Sequence, residues 1–148
     1  MTNNISAINP LPMESASRLQ LDPLTILIVD DSVTERRLLA AVLGRFGHNI
    51  IEAGSGEEAL ACIKDRNDNI DLILMDVNMP ELDGYATSNK IRTLESDIGI
   101  EWQPIIFLSG RNTPNDIAMG IESGGDDFIA KPVNSITLQA KIHAMSRI

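Results

Sequence analysis

Cysteine is all but missing from this sequence: Cys62 stands alone, which excludes an internal disulfide and makes a reducing setting the expectation. Long apolar runs are missing too, since no stretch reaches the roughly 18 consecutive apolar residues of a membrane span. The N-terminus lacks a basic region followed by an apolar run, so no secretory signal is read and the expected location is the cytoplasm. Basic charge is scarce. Twelve Lys and Arg stand against 21 Asp and Glu, a formal net charge of -9 that repels nucleic-acid phosphates and anionic membrane surfaces. Neither nucleic acid nor membrane is therefore an expected partner of this chain, and DNA binding would need another chain or domain. What is present, 43% hydrophobic and 22% charged residues over 148, suits one compact domain with a sizeable core.

Residues 1–23 mix Asn, Ser and the prolines Pro10, Pro12 and Pro23 without a period of 2 or 3.6, which predicts a flexible N-terminal tail, with Leu19 and Leu21 as its candidates for docking. The domain is expected over 24–148. From Thr25 onward short apolar runs alternate with stretches of helical periodicity, the pattern of an α/β fold with a mainly parallel sheet. Strands are expected at 25–30, 49–53, 71–76, 104–109 and 126–131, with four helices between them and a fifth at the end. Helix one, Val33 to Phe46, is expected to turn Val33, Leu38, Leu39, Val42 and Leu43 toward the sheet. Helix two opens with Ser55 and Glu58 at capping-box spacing. Helix three is expected from Tyr85 to Leu94, leaving "ESDIGIEW" as a long connection with Trp102 exposed. Helix four has Thr113 as N-cap and Pro114 at its first position; the last helix, from Ser135, carries Ile136, Leu138, Ile142 and Met145.

The stretch "TILIVDDS", residues 25–32, runs a buried strand into two aspartates. A reason appears when the carboxyl ends of the strands are collected: Asp30 and Asp31 on the first, Asp76 on the third, Ser109 on the fourth and Lys131 on the fifth. Parallel strands place those ends on one edge, and ligands of open α/β sheets sit outside them where the strand order reverses. For the order 2-1-3-4-5 the reversal lies between strands one and three, so Asp30, Asp31 and Asp76 face one another. Two carboxylates about 4 Å apart repel by on the order of 4 kcal/mol at an effective dielectric of about 20. Protonation is one remedy; a hard divalent cation with oxygen ligands, Mg²⁺, is the more economical one. A cation there also screens the charge that keeps an anionic phosphoryl donor from a carboxylate nucleophile, while Ser109 and Lys131 supply donors for the transferred oxygens. The set is arranged to receive phosphate on an aspartate.

The motifs "VDDS", "MDVNMPELDG", "FLSG" and "FIAKPV" follow in order over about residues 24–147. In them the chain resembles the receiver domains of two-component response regulators, including the stand-alone chemotaxis type. The resemblance implies a flavodoxin-like, doubly wound sheet of five parallel strands flanked by five helices. It implies that Asp76 is the phosphoacceptor, that Asp30 and Asp31 form the acidic pair, and that the Asn78 backbone carbonyl completes the Mg²⁺ site. It further implies Ser109 as switch hydroxyl, Lys131 as phosphate partner, a cis Lys131-Pro132 peptide and Phe128 as switch aromatic. Phosphate in such domains comes from a sensor histidine kinase or a histidine phosphotransfer protein. The domain catalyses its own phosphoryl transfer and dephosphorylation without being an enzyme in any wider sense. The face of helix four, strand five and helix five then changes to control an output domain or partner, and is where a homodimer would form. Positions two after the acceptor and two after the hydroxyl, Asn78 and Arg111, tune dephosphorylation in this family.

Plainer roles stand beside these. Asp31 and Ser32 cap helix one, Ser109 is a turn residue before Gly110, Lys131 an ordinary surface lysine, and Phe128 a core side chain. A receiver-like scaffold that binds partners without being phosphorylated is the alternative function. "GGDDF", 124–128, resembles the GGDEF signature of diguanylate cyclases, but it leads into the strand bearing Lys131 and reads as a turn and strand start, with Asp126 and Asp127 solvent-facing or capping. A flavodoxin-type electron carrier needs a Ser/Thr/Gly loop where "DDSVTE" stands, and a haloacid-dehalogenase-type phosphatase needs an Asp two residues past its nucleophile, where Ser32 and Asn78 stand. His48 and His143 lack metal-ligand spacing and are expected at the surface. "SITLQAKIHAMSRI" ends on an apolar residue without a C-cap, so a longer chain with a C-terminal output domain is expected.

Overall fold

A computed structural model of the chain describes residues 23–65 and 69–146. The expectation of a flexible tail, Leu19 and Leu21 included, falls almost wholly outside them. The elements alternate: β1 (Thr25–Val29), α1 (Val33–Arg45), β2 (Asn49–Ala53), α2 (Gly56–Asp65), β3 (Leu72–Asp76), α3 (Gly84–Ile98), β4 (Ile105–Ser109), α4 (Pro114–Glu122), β5 (Asp127–Ala130) and α5 (Ser135–Ser146). All four strand pairings are parallel and the sheet order is β2-β1-β3-β4-β5, as expected.

Because side chains alternate along a strand, the sheet splits the core in two. Leu27, Val29, Ile73, Met75, Ile105 and Phe107 pack with Ala59 and Ile63 of α2 and Ile91 of α3. On the other face Ile26, Ile28, Leu72, Leu74, Ile106 and Leu108 pack with Leu43 of α1 and with Leu138 and Ile142 of α5. Strands covered on both sides have no polar face, hence the unbroken apolar runs.

Several local expectations are corrected. In α1, Leu43 is buried and Leu39 and Val42 are half-buried, but Val33 and Leu38 are 53% and 64% exposed. Five residues of helix put Leu38 about 140° from Leu43. The inward place in the first turns goes to Arg36, which reaches the Asp30 carbonyl. Ile136 likewise points outward from α5. Helix α3 runs one turn past Leu94 and closes on Gly99, left-handed at φ 71, whose N–H donates to the Glu95 carbonyl. "ESDI" is thus helix, and the connection to β4 is shorter than expected. Trp102 is exposed as expected, with the Arg92 guanidinium 5.0 Å above its ring. Ser55 caps α2 by accepting the Glu58 N–H, but the Glu58 carboxylate takes the Gly54 N–H and not that of Ser55. The reciprocal box closes at α4, between Thr113 and Asp116.

His48 is 5% exposed, not at the surface: its Nδ1 accepts the Leu24 N–H, tying the turn after α1 to the start of β1. Burial holds its imidazole below the ordinary histidine range, against a hydrogen bond to Gln139. His143 is half-buried. In "GGDDF" the turn reading holds, with Gly124 at φ 107, but Asp126 is no solvent-facing group. Its Oδ2 accepts the Ile105 N–H at 2.8 Å and an Arg92 N–H at 2.9 Å, and Asp127 pairs with Lys141.

Candidate functional site

The register that aligns Val29 with Met75 sets Asp30, one residue past β1, level with Asp76, the last residue of β3. The strand order reverses here, since β2 lies on one side of β1 and β3 on the other. Asp30 and Asp76 are each 4% exposed, Asp31 is at the surface, and each offers a carboxylate oxygen within 4.8 Å of the others'. From the far side of the sheet comes Lys131, one residue past β5 and followed by a cis bond to Pro132. Its Nζ lies 2.8 Å from Asp76 Oδ1 and 3.6 Å from Asp30 Oδ2. Ser109 closes β4 at 1% exposure, and its Oγ accepts the Arg111 N–H at 3.0 Å.

The backbone around the acidic group is over-determined. Asp30 Oδ1 accepts the Ser32 N–H at 2.9 Å, while Arg36 donates to the Asp30 carbonyl at 2.7 Å and to Glu52 at 2.8 Å. The "MPELDG" segment folds back: the Gly84 N–H donates to the Val77 carbonyl, and Asp83 caps α3 through the Ala86 N–H. A Cβ at Gly84 would collide with the Asp76 carbonyl oxygen, so only glycine lets this loop close against the end of β3. Asn78 is exposed on the rim that the loop forms.

Burial, the first cause, pushes the Asp76 carboxyl up from 3.8 to about 6; Asp30 and Asp31 push the same way, and the Lys131 hydrogen bond opposes them. Burial also raises Asp30, against its Ser32 hydrogen bond and the Lys131 charge. For Lys131 burial works against the ammonium, but hydrogen bonds to Asp76 and Glu35 outweigh it and hold the group above the ordinary lysine range. The site therefore gathers three carboxyl groups with one ammonium beside them. Clustered carboxylate oxygens with no soft ligand are a donor set for a hard divalent cation.

Two expected residues lie farther out. Phe128 is half-buried, with its ring 6.5 Å from that of Phe107 and close to Gly120 of α4, and it packs against the core. The Arg111 side chain is exposed, and its charge is felt by Tyr85 and Asp116. Sequence reasoning missed Glu35, whose Oε1 accepts from Lys131 Nζ at 2.8 Å. It also missed Arg36. A signal for Glu35 existed, since Ser32 and Glu35 stand at capping-box spacing, but that pattern names the wrong partner. Beside the site, a groove of about 590 Å³ runs between α1 and α5, lined by Leu38, Leu39, Val42, Val133 and Leu138 and reaching Lys131.

Comparison with known proteins gives a consistent result. The model of the response regulator receiver domain family matches residues 26–143. A probable transcriptional regulator, ycf27, from Porphyridium aerugineum is 38% identical over 122 residues, 82% of this chain but 48% of that protein. The chain thus spans about half the length of the curated relatives it matches. Among solved structures, the chemotaxis protein CheY4 of Vibrio cholerae aligns with a TM-score of 0.75 at 27% identity, covering 84% of this chain and 99% of that one. The receiver domain of the Saccharomyces cerevisiae response regulator Ssk1, solved with the histidine phosphotransfer signaling protein Ypd1, aligns with a TM-score of 0.76 at 29% identity, covering 85% and 92%.

Proposed function

We propose, from the premise that this chain belongs to the response regulator receiver domain family, that Asp76 accepts a phosphoryl group and that the domain works as a phosphorylation-controlled switch. The observation that carries the reading is the acceptor geometry: a buried carboxylate at a strand end, 2.8 Å from a lysine ammonium, within 4.8 Å of two further carboxylates. An Asp76 oxygen attacks phosphorus, the bond from phosphorus to the donor's leaving atom breaks, and the electron pair leaves with that atom, a histidine nitrogen or the acetate oxygen of acetyl phosphate. Above about pH 6 Asp76 is ionised and nucleophilic. Lys131 stands where it can follow a phosphoryl oxygen bound to Asp76. Asp30, Asp31, Asp76 and the Asn78 carbonyl are the proposed ligands of Mg²⁺, which when bound supplies positive charge against donor and carboxylates alike.

Ser109 and Phe128 are the proposed switch pair. The Ser109 hydroxyl, now accepting from Arg111, would turn to the phosphoryl group, and Phe128 sits between Phe107 and α4, where its rotation would change the α4–β5–α5 face. That face is the proposed contact for an output domain, a partner or a second copy. Asn78 and Arg111 are assigned to tuning the phosphate lifetime. The donor is a sensor histidine kinase or a histidine phosphotransfer protein, consistent with the partner of the Ssk1 receiver. The cytoplasm is the compartment such a donor requires; among the described residues no helix is long and apolar enough to cross a membrane.

Intact-mass spectra after incubation with acetyl phosphate test the reading. A single phosphoryl adduct that needs Mg²⁺ and disappears in Asp76→Asn is expected; no adduct on folded protein favours a scaffold that works by binding alone. The decay of that adduct tests the tuning role, which an unchanged lifetime in Arg111→Ala removes.

A further inference from the structure

We propose that Glu35 is a positioning residue that holds Lys131 in the unphosphorylated domain and gives it up to the incoming phosphoryl group, so that it acts as a built-in competitor of the donor; this rests on Asp76 being the acceptor. Glu35 is the third residue of α1, where a glutamate three positions after a serine cap ordinarily bends back to the cap N–H. Here that N–H, on Ser32, is taken by Asp30 Oδ1 at 2.9 Å. The Glu35 carboxylate crosses instead to the other side of the site and accepts from Lys131 Nζ at 2.8 Å, over a separation of 96 residues.

The lysine is thereby held by two hydrogen bonds. An ammonium has three N–H donors; two of these go to Asp76 and Glu35, each at 2.8 Å, while Asp30 stands 3.6 Å away as an ion-pair partner beyond hydrogen-bond reach. A phosphoryl oxygen that draws Lys131 toward it competes with these carboxylates for the ammonium. The Asp76 and Asp30 side chains are 6% exposed, whereas that of Glu35 is 57% exposed. Glu35 therefore loses least on letting go, because water replaces the lysine at once.

Initial rates of acetyl phosphate uptake in Mg²⁺, followed by intact mass for wild type, Glu35→Gln and Glu35→Asp, test this. Glu35→Gln is expected to phosphorylate roughly three- to tenfold faster at low ionic strength, with most of the gain in half-saturating donor concentration, and to lose much of it in about 0.5 M salt, as exposed charges do. Glu35→Asp keeps the charge but is one methylene short of Lys131, and is expected to behave like Glu35→Gln. A merely structural role would move neither the split between half-saturation and maximal rate nor its salt dependence; thermal melts confirm that the variants fold. Equal or slower uptake by Glu35→Gln overturns the proposal, as does an aspartate variant matching wild type while the glutamine variant does not. In those cases wild type still forms its adduct and the acceptor assignment stands; no adduct in any of the three proteins overturns both.

Discussion

Asp76 is ionised in a place that favours its neutral form. Its carboxyl, raised from 3.8 to about 6, contributes stability that is fully present below about pH 3.8 and is lost as the pH rises through about 6. At pH 7.5 the folded domain therefore carries the charge at a loss. In EDTA at that pH, Asp76→Asn is expected to unfold at a temperature several degrees above wild type, a gain of about 1 to 2 kcal/mol after allowing for the weakened contact to Lys131. The difference should shrink toward pH 4, and thermal melts across that range check both sign and window; a destabilised variant at pH 7.5 would contradict the electrostatic account. Reading the chain residue by residue found the acidic trio and Lys131 because each stands next to an apolar run that marks a strand end. It did not find Glu35, since whether an exposed glutamate caps its own helix or crosses to a lysine 96 positions away is settled only by tertiary packing.

Among the elements, the opposite end of the sheet depends on one side chain. Arg92 of α3, 18% exposed, donates to the carbonyls of Gly124 and Gln103 and to the carboxylates of Glu95 and Asp126, so it binds the entries to β4 and β5 to α3. Arg92→Met keeps the apolar stem and leaves the buried Glu95 and half-buried Asp126 carboxylates without their cation. A loss of about 2 to 3 kcal/mol is expected, as for a broken buried pair, measured by urea unfolding. Acetyl phosphate uptake by the folded variant should be unchanged, because Asp76, Ser109 and Lys131 lie at the carboxyl ends of the strands; a slower uptake would show that the two ends are coupled. Helix boundaries were legible where a cap marks them, as Thr113 and Pro114 do for α4. They were missed at the end of α3, where Glu95, Asp97 and Ile98 carry no stop signal before Gly99. The inward face of α1 was misread for a related reason: Val33 and Leu38 are apolar yet face outward, and Arg36 is charged yet points in. Hydrophobicity does not reveal which charged residue has a buried carbonyl to meet.

For the whole molecule, topology turns a list of separated residues into a site. Five parallel strands in the order β2-β1-β3-β4-β5 carry Asp30, Asp76, Ser109 and Lys131 to one edge from positions spread over a hundred residues. Alternating apolar runs and helical periods made the fold class readable, because a sheet buried on both faces leaves no other pattern. The spacing of acidic, hydroxyl and basic residues at the strand ends made the site readable. The positions of Phe128 and Arg111 were readable, but their functions were not, because both are proposed to act only through phosphorylation. The family relationship and the shared fold leave the chemistry at Asp76 as the point on which the account turns. Borohydride reduction of the acetyl phosphate-treated protein, followed by peptide mass mapping, tests it most directly, since an aspartyl phosphate is reduced to homoserine while an ordinary aspartate is untouched. Homoserine at position 76 alone, dependent on Mg²⁺, is the result predicted; aspartate unchanged at 76, or homoserine at Asp30 or Asp31 in its place, would contradict it.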